Sequence, residues 1–427
     1  MGSCTLHTDL LFDPISKAFL KNVSIRVDET SGEITEVIRR ENDSAVELAQ
    51  GDVDLRGKVV LPGFVDAHTH IFLHSYDEAV ALVQKRDESF VERIIRAVNH
   101  CRVGLLAGYT TYRDLGSEGM QDADCNVRDA INRGMIPGPR LYVATKVIAS
   151  TGGFEVRTEN GLGGHCLPAG GEAADGPDEL RKAVRRRIAA GADIIKFFGD
   201  YRRRLMRFPP KQQHPYVGSV QFPPEVPNPE HVMFTQEEMN TIVDEAELAD
   251  CPVSAHCATN AAVLAAVSAG ALSVEHAFYT DDETLLHIKK HNAILVPTLA
   301  VCERLHKLKF PEVLKRTYRA WELGVRLACG GDTGTYPHGE NAREIELMIE
   351  AGIPVEDALA AGTVEGWHAC GGDRCGRRFG WFEKGTAADI IALDTDPRDD
   401  KGALRKVSFV MKDARIWKHD GLAVGMI

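Results

Sequence analysis

The sequence predicts an α/β fold: a closed (β/α)8 TIM barrel with a small β-sandwich domain built from the N- and C-terminal segments. Two observations lead there. From Val59 onward, short β-rich runs alternate with longer stretches of helical period, and eight such runs occur. At both chain ends the pattern changes to strand-like runs separated only by turns. No glycine-rich dinucleotide fingerprint follows an early strand, which argues against an open doubly wound sheet.

The first run, "VVLPGFVDAHTH" (59–70), is apolar and β-branched until it ends in two histidines. The others are "GYTTYRDLG" from Gly108, "RLYVATKVI" from Arg140, "ADIIKFFG" from Ala192, "PVSAHC" from Pro252, "LSVEHAF" from Leu272, "AILVPTL" from Ala293 and "RLACGGDTG" from Arg326. Amphipathic stretches lie between them. Phe90, Ile94, Ile95, Val98 and Cys101 form one helical stripe; Met239, Ile242, Val243 and Ala246 form another. The second is opened by a capping box from Thr235 to Glu238. A last helix is expected around "VEDALAAGTVEGW". The runs "NVSIRVD", "EITEVIRR", "ADIIALD", "VSFVMKD" and "ARIWKHDG" supply the flanks. The expected division is therefore 1–58 and 384–427 for the β-domain and 59–383 for the barrel. Two long loops, 150–177 and 200–234, follow barrel strands, which places them on the face where such barrels build their sites.

Bulk composition narrows the function. The chain has 427 residues, 44% hydrophobic and 26% charged, as ordinary globular proteins do. Its formal charge of −12 disfavours nucleic acid and anionic membranes as partners. The basic run "RKAVRRRIAAG" (181–191) carries Leu180, Val184 and Ile188 at helical spacing, so it reads as a solvated helix face. No secretory leader or membrane-length apolar run is seen, and the ten cysteines show no regular spacing. A cytoplasmic protein with reduced, mostly buried thiols and a small-molecule substrate is expected.

Residues two apart on a strand share a face, so His68 and His70 aim at one point. That suits a metal ion, and it equally suits polar residues at a sheet edge. The other strand ends decide. The fourth strand holds Lys196 in an apolar setting, the fifth ends in His256, the sixth in His276 and the eighth in Asp332. Barrel topology brings such residues together, and imidazole with carboxylate is the natural donor set for a zinc-like ion.

The stretches "PGFVDAHTH", "GADIIKFFGD", "VSAHC", "SVEHA", "CGGDTG" and "FEKGTAADIIALDTDP" resemble the amidohydrolase superfamily over nearly the whole chain. "GPRLYVATKVIASTGG" and "GGDTGTYPHGENAREIELMIEAG" are most similar to its imidazolonepropionase-like branch, which includes Xaa-Pro dipeptidases and the fungal ochratoxinase. The resemblance implies a homo-oligomer and two divalent metal ions, with zinc expected. His68, His70 and Asp332 would bind the more buried ion, His256 and His276 the other. Lys196, carboxylated by carbon dioxide, would bridge them. An unmodified ammonium has no lone pair to offer a metal; the alternative is a structural ion pair from Lys196 to Asp200 or Asp332. The implied chemistry is amide hydrolysis by a metal-bound hydroxide, with Asp332 as general acid and base.

The sequence departs from related dipeptidases after "TGG", where a histidine is usual and Phe154 stands; the nearest histidine is His165. His74 reads as surface or supporting polarity. His338 is expected either near substrate or in a plain loop. Tyr201 with Arg202, Arg203 and Arg204 lies just beyond Lys196. A guanidinium fork there would bind a substrate carboxylate; a solvated cluster is the competing reading. A peptide-like or N-acyl amino acid substrate follows. The alternatives are a cyclic-amide or lactam hydrolase, a deaminase, and a non-catalytic scaffold.

Overall fold

The computed structural model describes residues 2–41, 46–153, 158–159, 165–166, 169–202, 212–219, 221–222 and 230–425. It is a mixed α/β structure whose central strands run parallel.

The run from Val59 to His70 is two strands that part at Gly63. Val59–Pro62 joins the flanking sheet, pairing with Leu10–Leu11 and with Ile390–Leu393. Phe64–Thr69 is buried throughout and pairs in parallel with Tyr109–Asp114. Glycine is required at the junction, because a Cβ on Gly63 would meet the Thr110 side chain at 2.1 Å. The third run also divides. Arg140–Val143 pairs with Tyr109–Asp114, whereas Val147–Ala149 lies beside Ile195–Phe198. Thr145, at a left-handed φ of 59°, turns the chain between the halves.

Two parallel sheets result. One holds Phe64–Thr69, Tyr109–Asp114 and Arg140–Val143. The other runs through Val147–Ala149, Ile195–Phe198, Val253–Cys257, Ser273–His276, Ile294–Val296 and Arg326–Leu327, with Gly171–Ala173 at its edge. Backbone bonds stitch their outer edges: Ala67 N to Cys329 O at 2.8 Å, His70 N to Thr333 O at 2.7 Å and Thr333 N to His68 O at 3.1 Å. The last run is regular for only two residues. Beyond them, Gly330 lies so close to the first strand that a Cβ there would sit 2.6 Å from the His68 amide.

Amphipathic helices cover these strands. The helix Phe90–Leu106 starts at Ser89, whose side chain accepts from the Glu92 amide, and it buries Ala97, Cys101 and Leu105. The helix Gln236–Glu247 has the expected capping box. In Gly176–Ala189, Leu180, Ala183 and Val184 face inward, while Arg185 pairs with Glu245 and Arg186 with Glu172. The basic run is thus a paired helix face. The last expected helix is two short ones, Val355–Ala361 and Val364–Ala369.

The chain ends combine in one nine-stranded sheet. It curls until Ile34 N bonds Thr386 O at 2.8 Å, enclosing a core that includes Leu6, Ile25, Val27, Ile390 and Phe409. Arg140 ties it to the central strands, bonding Asp389 at 2.7 Å and Asp413 at 2.6 Å.

The tight crossing at Gly63 gives a stability prediction. Gly63→Ala overpacks the junction and is expected to lower unfolding free energy by about 1–3 kcal/mol. A urea titration reads this as a lower midpoint at unchanged slope. An unchanged midpoint would mean that Thr110 swings away at no cost.

Candidate metal centre

His68, His70, Lys196, His256, His276 and Asp332 all line one cavity of about 260 Å³. They arrive from the ends of five strand runs, His68 and His70 sharing the first. Among the described residues, His68, His276 and Asp332 form a triad whose donor atoms all lie within 4.8 Å of one another. His70 Nε2 lies 3.2 Å from Asp332 Oδ1. The His256 ring sits 4.4 Å from that of His276, centroid to centroid. Two of these residues hold left-handed backbone, His276 at φ 71° and Asp332 at φ 61°. Such strain gathers at functional sites.

Partners behind the rings fix which nitrogen faces the cavity. His68 Nδ1 bonds Glu275 Oε2 at 2.9 Å, His70 Nδ1 bonds the Gly116 carbonyl at 3.1 Å and His276 Nδ1 bonds Thr298 Oγ1 at 2.8 Å. Each leaves Nε2 for the cavity, which is how proteins orient metal-binding imidazoles. Glu275 is itself held by Arg113 at 2.8 Å, Ser254 at 2.8 Å and Ser273 at 2.6 Å. Sequence reasoning passed over Glu275, although it stands beside His276 in "SVEHA"; an acid within an apolar strand was the available signal. Asp66 was also missed. It accepts from Thr333 at 2.7 Å, Asn341 at 2.7 Å and the His68 amide at 3.0 Å, and so secures the end of the first strand.

Burial and neighbouring charges set the protonation of these groups. Burial holds His68, His256 and His276 well below the usual histidine range, so their lone pairs are open. Burial also lowers His70, but the Asp332 hydrogen bond and the charges of Glu118, Asp332 and Asp114 outweigh it and raise the ring to about 9. Burial raises the Asp332 carboxyl, yet the neighbouring His68, the His70 hydrogen bond and charge, and Lys196 hold it at about 2. Burial depresses Lys196 to about 8. Its Nζ is fully buried and makes no hydrogen bond among the described residues. The alternative ion pair with Asp200 does not form, because Asp200 is engaged by the Ala258 and Thr259 amides and the Thr259 hydroxyl, at 2.7–2.9 Å.

The remaining expected contacts fare differently. Tyr201 lines the cavity beside Phe198. His338 is not among the lining residues; it stacks on His100 with centroids 4.2 Å apart and bonds the Leu73 carbonyl at 3.1 Å. It supports the segment after the first strand. His74 is buried and bonds Glu88 at 2.6 Å. Arg203, Arg204 and Phe154, and the side chains of His165 and Arg202, lie outside the described residues.

The sequence model of the amidohydrolase family matches residues 59–418, most of the chain. The chain belongs to the amidohydrolase family. This amidohydrolase is 30% identical over 405 residues to ochratoxinase of Aspergillus niger, covering 86% of this chain and 77% of that one. It is 24% identical over 372 residues to imidazolonepropionase of Bdellovibrio bacteriovorus, covering 81% of this chain and 76% of that one. The solved structure of a Xaa-Pro dipeptidase with bound methionine in the active site matches with a TM-score of 0.81 at 26% identity, covering 98% of this chain and 100% of that one. The resemblance drawn from the motifs therefore stands, down to the branch. Membership makes the protein a hydrolase acting on amide bonds, in a family that generally uses metal ions. No helix among the described residues is long and apolar enough to cross a membrane.

A raised His70 sets a pH prediction for this amidohydrolase. Below about 9 the ring carries a proton that a cation must displace. Metal affinity is expected to climb roughly tenfold per pH unit toward that value, one proton being released per site. Calorimetry in buffers of different ionisation enthalpy measures the release; a pH-independent affinity with no proton released would contradict the assignment.

Proposed function

We propose that this protein is a metal-dependent amidohydrolase on a closed (β/α)8 frame, cleaving an amide in a carboxylate-bearing, peptide-like or N-acyl amino acid substrate. One observation carries the reading: five donor side chains from the ends of four strand runs meet in one cavity with a buried amine that has no hydrogen-bond partner among the described residues. An ammonium there is buried, makes no hydrogen bond among the described residues and faces three uncharged imidazoles, with only the charges of Glu275 and Asp332 to offset its burial. An anionic carbamate on Lys196 between two cations resolves that conflict.

The residues present fit two divalent ions, with zinc favoured by an imidazole-rich donor set. His68, His70 and Asp332 would hold one, His256 and His276 the other, and carboxylated Lys196 would bridge. When bound, such ions polarise the scissile carbonyl and bring water toward a neutral pKa. The chain supplies the rest. Asp332, 3.2 Å from His70, accepts a proton at its carboxylate and returns it to the departing nitrogen. Glu275, Gly116 and Thr298 keep the rings in register. Leu73, Leu115, Val147 and Phe198 line the cavity and limit water. Tyr201 offers a phenol to the substrate at the rim.

A cyclic-amide or lactam hydrolase, or a deaminase, would use the same groups, and a hydrolysis panel separates them. A scaffold without catalysis is the weakest reading, since every expected donor position holds a donor.

Two measurements test this. Removing metal by chelation is expected to abolish hydrolysis of acyl amino acids, and zinc is expected to restore it. Asp332→Asn is expected to lower kcat by about 10²–10⁴-fold with a much smaller effect on KM. Metal content measured alongside separates loss of the proton carrier from loss of an ion. Near-normal turnover in the variant would assign the proton to another group.

A further inference from the structure

Glu118 lies against His70, whereas Phe198 and Tyr201 lie against His256. The cavity lining also includes the apolar Leu73, Ala81, Leu115 and Val147. Set into it is an ion pair between Lys85, on the helix Ala81–Asp87, and Glu118, in the loop after Tyr109–Asp114. Both residues line the cavity, yet they are only 3% and 6% exposed. Burying two such charges is expensive, and well-packed apolar side chains would be at least as stable. Packing alone therefore does not account for the pair.

Its surroundings suggest a use. Three basic side chains, Lys85, His70 and Arg93, act on the single Glu118 carboxylate. Arg93 lies buried behind the wall, donating to the Glu118 carbonyl at 2.8 Å and the Phe72 carbonyl at 3.2 Å. Glu118 Oε1 sits 3.5 Å from His70 Nδ1, and the residue holds a left-handed φ of 51° to point there. Asp114 is buried behind His70 with its pKa pushed far up, and Asp332 stands across the cavity with the metal-binding groups. An ammonium can serve several acceptors at once, and a carboxylate is the partner that best offsets its desolvation.

We propose that Lys85, held in place by Glu118, is a specificity-determining contact that binds the substrate's carboxylate on the His70 side of the cavity. The proposal rests on the amide-hydrolase reading above and names the residue that would read the charge. A substrate carboxamide cannot replace the carboxylate, because it brings no charge to the ammonium.

The test compares N-benzoyl-phenylalanine with N-benzoyl-phenylalaninamide on the zinc-loaded protein, following benzoate release. Where turnover is too slow, calorimetric Kd values for the same two probes give the ratio. The wild type is expected to favour the acid by about 10–100-fold, as a charge-assisted hydrogen bond provides. In Lys85→Met that ratio is expected to fall toward one, through KM rather than kcat; Lys85→Arg should keep part of it. Because Lys85→Met strands a buried carboxylate, the double variant Lys85→Met with Glu118→Gln is measured too, with metal content and melting temperature as checks on folding. A preference that survives in the double variant overturns the role of Lys85 and leaves the hydrolase reading standing. A wild type without any preference for the acid overturns the carboxylate-bearing substrate itself, and with it this contact.

Discussion

The pair between Arg113 and Glu275 is the contact on which the rest of the site depends. Both side chains are fully buried. Arg113 also bonds the Ala67 carbonyl at 2.5 Å, Ser273 at 2.8 Å and the Ala369 carbonyl at 3.0 Å. Glu275 in turn takes Ser254, Ser273 and His68. One charge pair therefore joins the strands that carry His68, His256 and His276, along with the end of the last helix. A buried pair of this kind adds little net stability, but losing one partner leaves an uncompensated charge worth about 3–5 kcal/mol. Its contribution here is geometric. It sets the height of the first strand against the sixth and fixes the His68 tautomer that presents Nε2.

From that frame the electrostatic character of the cavity follows. Burial keeps three imidazoles neutral, and Asp332 is retained as a carboxylate by the cations around it. Lys196 fits poorly: a buried amine with a lowered pKa and no hydrogen bond among the described residues. A partly deprotonated amine is nucleophilic, so the feature that looks unfavourable in the unmodified chain is the one that carboxylation requires. In the same cavity, the Lys85–Glu118 pair is a second set of charges buried at a cost.

Much of this was legible in the sequence, and what was not has physical reasons. His-x-His on a strand, a lysine in an apolar run, and lone histidines and an aspartate at later strand ends survive as pattern because strand topology alone brings them together. The two split strands were not legible. Gly63 and the Thr145 turn interrupt β-rich runs without changing their composition, and what divides them is contact with Thr110 and with neighbouring strands. Glu275 was hidden because its role comes from Arg113, far away in sequence. Lys85 and Glu118 sit in ordinary-looking loop and helix segments, and only folding places them in one wall. His338 fits either a substrate contact or a plain loop role from its position in the sequence; its stacking on His100 accompanies its absence from the cavity lining.

The proposed chemistry requires Lys196 to be an anionic bridge rather than a buried ammonium. The direct measurement is magnetic resonance of the zinc-loaded protein equilibrated with carbon-labelled bicarbonate. One carbamate signal per chain is expected, absent in Lys196→Ala and lost when metal is stripped and bicarbonate withheld. A fully metal-loaded, active enzyme with no such signal would contradict it.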